Sequence, residues 1–82
     1  MNTEQFLNYL ILDGWVGCAD SVGPGIKKPD SGECYWKVGY SIMYSLCYSR
    51  GSAIDKWNTD IRETPAAFLQ EVALKMGVDY EP

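Results

Sequence analysis

Histidine is absent from this chain. That removes at one stroke the commonest general base, the Ser-His and Cys-His nucleophile pairs, and the most usual zinc ligand. Cysteine is scarce: Cys18, Cys34 and Cys47 are the only three, and no two are spaced as CxxC. Three scattered thiols do not complete a four-ligand site without a carboxylate, so neither a structural metal nor a cofactor is expected. No apolar run approaches the roughly 20 residues of a membrane span. No basic-then-apolar leader is read at the start either, where Asn2, Thr3 and Glu4 stand. A cytoplasmic protein with unbridged thiols is therefore expected, a Cys18–Cys34 bridge being the rival state.

Basic residues are outnumbered, seven against eleven acidic ones, for a net charge of −4. Direct nucleic-acid binding needs Lys and Arg to displace counterions from phosphates, so that function and docking on an anionic membrane are both disfavoured. A protein partner with a basic surface is compatible with this charge.

What the chain does have is aromatic mass. Three Trp, six Tyr and two Phe occur among 82 residues, of which 46% are apolar and 22% charged. That balance belongs to a folded protein rather than a disordered one. So short a chain buries only about 60–65% of its unfolded surface, and large rings compensate for a thin aliphatic core. A single domain over residues 1–82 is expected.

Local signals are clearest at the two ends. Asn2 with Gln5 forms a capping box ahead of Phe6, Leu7, Leu10 and Ile11, and Asp13-Gly14 stops the helix. Near the other end, Thr64 is placed to cap and Pro65 to begin a helix bearing Phe68, Leu69, Val72, Ala73 and Met76, with Gly77 as its stop. The tail from Val78 to Pro82 is expected to be loosely held. A shorter helix is read from a Ser52 cap, with Ile54, Trp57 and Ile61 on one face. Between Gly14 and Gly32 lie five of the eight glycines and two of the four prolines. This stretch reads as one long loop, of a kind that is usually functional or poorly ordered. Its Gly23-Pro24-Gly25-Ile26-Lys27-Lys28 core matches neither phosphate-loop pattern.

The segment from Glu33 to Arg50 carries two signals. Trp36, Val38, Tyr40, Ile42, Tyr44, Leu46 and Tyr48 alternate strictly, as a strand would. Asp30 with Glu33 as cap, Gly51 as stop, and Tyr35, Val38, Ile42, Leu46 and Ser49 on one face fit a helix instead. A strand of about fourteen residues exceeds the usual 3–10, and no other segment offers an evident strand to pair with it. The helix is preferred on those grounds. The expected fold is thus mainly α: a small single domain of about four helices with one long Gly/Pro-rich loop. The alternative is α+β, with residues 35–49 as strand or hairpin.

With no catalytic, cofactor-binding or metal site in view, the expectation is a protein that binds another protein rather than an enzyme. Trp36, Tyr40 and Tyr44 form the aromatic edge expected to meet the partner, and Asp55 and Asp60 the acidic groups expected to attract it. In size, acidity and want of catalytic groups the chain is similar to small inhibitors encoded by bacteriophages and mobile elements, the anti-CRISPR proteins among them. That likeness implies occlusion of a host protein's surface. The alternative is a structural or assembly protein that self-associates, as a homodimer for instance, through its aromatic segment and long loop.

Overall fold

Four of the five strands come from the Gly/Pro-rich stretch and the aromatic segment. The computed structural model describes residues 1–19, 23–46 and 57–82. Along the chain these form α1 (Thr3–Leu12), β1 (Val16–Ala19), β2 (Pro24–Lys28), β3 (Glu33–Val38), β4 (Ser41–Leu46), β5 (Trp57–Thr59), a single 3-10 turn (Ile61–Glu63) and α2 (Ala66–Met76). The five strands make one antiparallel sheet in the order β4-β3-β2-β1-β5. The architecture is therefore α+β, and the mainly α, four-helix expectation is overturned.

The central correction concerns the aromatic segment, whose described part is a hairpin. Val38 pairs with Ser41, which leaves Gly39 and Tyr40 as a two-residue turn. Gly39 has φ +58, and no residue other than glycine has positive φ among the described residues. Positive φ at the first central position alone defines a type II′ turn, whose twist suits paired strands. The turn removes both objections to a strand. It cuts the long alternating run into two six-residue strands, each the other's partner.

Further partners come from the Gly/Pro-rich stretch expected to be a loop. Its β1 and β2 pair with each other, β2 pairs with β3, and β1 pairs with β5. The short helix read from Ser52 is also corrected over its described part, where Trp57–Thr59 is a strand and Ile61–Glu63 a 3-10 turn. Its Ser52 and Ile54, like Cys47 and the Gly51 stop of the earlier segment, lie outside the described residues.

Register assigns each side chain to a face. Residues paired across strands point to the same side, so Gly17, Ile26, Tyr35 and Ile42 share one face. Ile26, Tyr35 and Ile42 join Phe6 and Leu10 of α1, Phe68, Leu69 and Val72 of α2, and Trp15, Ile61 and Tyr80 in the main core. Cys18, Cys34 and Trp36 take the opposite face, where both cysteines are buried and Trp36 packs against them. No disulfide joins Cys18 to Cys34. They stand on β1 and β3 with β2 between, about 10 Å apart by strand spacing and beyond the reach of a bridge.

The helix ends refine the local reading. In α1 both halves of the capping box form: Gln5 N–H donates to Asn2 Oδ1 and Asn2 N–H to Gln5 Oε1, each at 2.9 Å. In α2 the N-cap is Pro65, and no side chain caps the helix. Thr64 precedes a proline and is driven to extended backbone, ψ 127, where it closes the 3-10 turn instead. The tail is docked rather than loose. Tyr80 is buried, its ring stacks on Phe6 at 4.9 Å, its hydroxyl lies 2.9 Å from Thr3 Oγ1, and Glu81 N–H donates to the Met1 carbonyl.

Two stability outcomes follow from this packing. Asn2→Ala should lower the unfolding free energy by about 1 kcal/mol, and Thr64→Ala by less than about 0.5 kcal/mol, in urea denaturation. A larger loss for Thr64→Ala would restore it as the cap. Gly17 is a point of close approach, since a Cβ there would lie 2.6 Å from the Thr59 carbonyl and 2.9 Å from Ile61 N. Gly17→Ala should cost about 1–3 kcal/mol by prising β5 and the following turn from β1. An unchanged midpoint for that variant would show that the contact yields freely.

Candidate interaction surface

The β3–β4 hairpin projects the most exposed aromatic side chain of the described residues. Tyr40, at the second position of the type II′ turn, is 101% exposed. Beside it, between the hairpin and the start of α2, lies an open cleft of about 220 Å³. Pro24, Ile42 and Phe68 supply its apolar wall, Tyr40 one rim, and Lys37 and Glu71 its charged groups. The cleft exists because α2 begins at Ala66 over the hairpin, and the short Pro65 and Ala67 at its first turn leave the space unfilled.

Tyr44 sits on β4 with its face toward the helices, yet it is about half exposed because β4 is at the sheet edge. Its ring packs tilted against Tyr35 at 5.2 Å, and its hydroxyl donates to Glu33 Oε1 at 3.0 Å. The second Glu33 oxygen, Oε2, accepts from Ser31 Oγ at 2.6 Å. These bonds favour the carboxylate, so the Ser31 hydroxyl first and the Tyr44 hydroxyl second hold Glu33 below its ordinary value of 4.5. The same bond, with burial and the Glu33 charge after it, raises Tyr44 above 10.0. Burial first and the Glu33 charge second raise Tyr35.

The remaining expected site residues are not assembled with these two. Trp36 projects from β3 away from the helices, half-buried over Cys18 and Cys34, and its Nε1 donates to Ser45 Oγ at 2.9 Å. It is part of the second cluster rather than an edge shared with Tyr44, because a strand sends β3 and β4 positions of even number to opposite faces in this register. Asp60 caps the 3-10 turn, with Oδ1 accepting from Arg62 N–H at 3.0 Å. It follows β5, four strands from β4 and thus roughly 19 Å across the sheet. Asp55 lies outside the described residues. An acidic rim formed by Asp60 beside the tyrosines is therefore not what the fold builds. Sequence analysis did not assign Lys37, Met43, Phe68 or Glu71 to a surface, and the signal for the two on the hairpin is Gly39, whose positive φ makes the turn.

Among the described residues no cluster of three or more Cys, Asp or Glu could hold a metal ion, and no helix is long and apolar enough to cross a membrane. Comparison with protein-family models, curated proteins and solved structures finds no match. The surface is thus interpreted from its own chemistry.

The Glu33 cluster sets a pH signature at both ends of the scale. A carboxylate held below its ordinary value adds stability above that value, lost as pH falls through the acid range. Tyrosines raised above 10.0 add stability below that value, lost as pH rises past it. Glu33→Gln should flatten the acid limb of a stability–pH curve and bring the Tyr44 ionisation, followed by tyrosinate absorbance, back toward 10.0. An absorbance titration identical in parent and variant would show that the bond is not kept in solution.

Proposed function

We propose that this is a non-enzymatic protein-binding module that grips a protein partner with the tip of the β3–β4 hairpin and the cleft beside it. The observation that carries the reading is Tyr40. A tyrosine wholly in solvent contributes nothing to the core, yet the turn fixes its backbone next to an apolar cleft. A tyrosine has only two side-chain torsions to order on binding and buries a large area, as interface anchors do.

The partner is a protein with a basic surface rather than nucleic acid, in keeping with the net charge of −4. By occluding that surface the module would act as an inhibitor, in the manner of the small phage-type inhibitors its composition resembles. A reducing, cytoplasmic setting suits two buried cysteines that are not bridged to each other.

Affinity capture from cell lysate, followed by titration with the purified partner, tests the reading. Tyr40→Ala should weaken binding by about 2 kcal/mol without altering the melting curve, because the side chain touches none of the core. Asp60→Asn should change association little, since it lies farther from the hairpin than the roughly 8–10 Å over which exposed charges act in physiological salt. Parent-like binding by Tyr40→Ala would place the contact elsewhere and overturn the proposal.

A further inference from the structure

The hairpin has a second exposed feature, the outer edge of β4, and its pattern is self-complementary. Within the described residues β4 pairs only with β3. The pair that closes a two-residue turn is doubly hydrogen-bonded, and bonded pairs alternate along an antiparallel ladder. From Val38↔Ser41 the bonded positions are therefore Ser41, Met43 and Ser45. The N–H and C=O groups of Ile42 and Tyr44 point outward. Natural edges are usually blunted by charge, proline or a bulge. The sequence SIMYSL has none of these, and Met43 and Tyr44 are each about half exposed.

We propose that β4 pairs with β4 of a second copy of this chain, antiparallel about a two-fold axis through Met43, giving a homodimer with one continuous sheet. An axis perpendicular to the sheet keeps each face on its own side, so paired positions must share a face. Centred on Met43, the pairs are Ser41 with Ser45, Ile42 with Tyr44, and Met43 with Met43. Each pair matches in polarity, and the outward groups of Ile42 and Tyr44 meet each other. Centring on Tyr44 would set Met43 against Ser45 instead. The strand carries no charged residue, so two copies that each carry −4 can approach along it without setting like charges opposite each other. The inference goes beyond the partner proposed above and stands without it, since purified protein alone is needed to test it.

The experiment is sedimentation of the parent, Met43→Lys, Met43→Glu and an equal mixture of the two variants, with melting curves to confirm folding. The parent should sediment at twice 9.2 kDa. Each variant alone sets like charges directly opposite and should weaken dimerisation by about tenfold or more, and the mixture should recover it. Met43→Cys, which adds no charge, gives an independent readout. Facing non-bonded positions lie about 4.5 Å apart between Cα atoms, within the range of a disulfide. Mild oxidation should therefore link residue 43 to residue 43, as mapped by mass spectrometry, whereas Ser41→Cys should not link to itself. A monomeric parent at all concentrations overturns the proposal. So does a dimer that survives both charged variants, or one that yields no 43–43 link.

Discussion

The pairing of Val38 with Ser41 across the Gly39–Tyr40 turn determines most of what this molecule presents to its surroundings. Gly39 adopts a left-handed backbone that a side chain would strain, and its sign of φ matches the twist of the strands it joins. Once that pair is set, every later position on β4 is committed. Ile42 turns to the core, Tyr44 reaches the Glu33 carboxylate, and Met43 faces away from the helices. A slip of one residue would expose Ile42 and bury Met43 over the wrong layer, so the core itself enforces the register. Tyr40 is left in solvent by the same geometry.

The sheet separates two layers of unequal strength. On one face α1, α2 and the docked tail enclose a core with rings at its centre and rim, from Phe6 and Tyr80 to Trp15 and Tyr35. On the other, Cys18 and Cys34 are buried with Trp36 against them. Cys34 Sγ lies 3.4 Å from the Ser45 hydroxyl and Trp36 Nε1 donates to the same hydroxyl at 2.9 Å, so one short side chain on the edge strand ties both to β4. Gly17 is a point of close approach in the main layer, because the chain at Thr59–Ile61 passes where a Cβ would stand.

The ends of the chain were legible because their signals are local. Asn2 and Gln5 satisfy backbone donors within one turn, and Gly77 takes the left-handed conformation that stops α2. The sheet was illegible for the opposite reason. In β1 and β2, Gly17, Pro24 and Gly25 contribute no strand propensity, and only their partners across the sheet hold them extended. Without those strands in view, the alternation from Trp36 to Tyr48 had nothing to pair with, and helical capping signals around it prevailed. Thr64 misled similarly, since a threonine before proline fits a cap by type while proline forces its backbone open. Of the proposed surface, the exposure of Tyr40 and Tyr44 was legible in the sequence. The distance of Asp60 from them was not, because separation along the chain says little about position across a sheet.

Aromatic side chains left in water by so small a domain are a concession, since the core has few to spare. Tyr44 recovers part of the loss through Tyr35 and Glu33, whereas Tyr40 recovers none. The two proposed contacts use different parts of one hairpin and do not compete. Edge pairing engages the backbone of Ile42 and Tyr44, while the tip and the cleft beneath α2 stay on the helix face. A two-fold through Met43 would carry both clefts to the same side of the joined sheet. A partner with two basic sites could then be held at both, and the second attachment would gain from the high local concentration created by the first. In that arrangement the uncharged edge would join the copies, and the net charge of −4 on each would favour a basic partner over an acidic one.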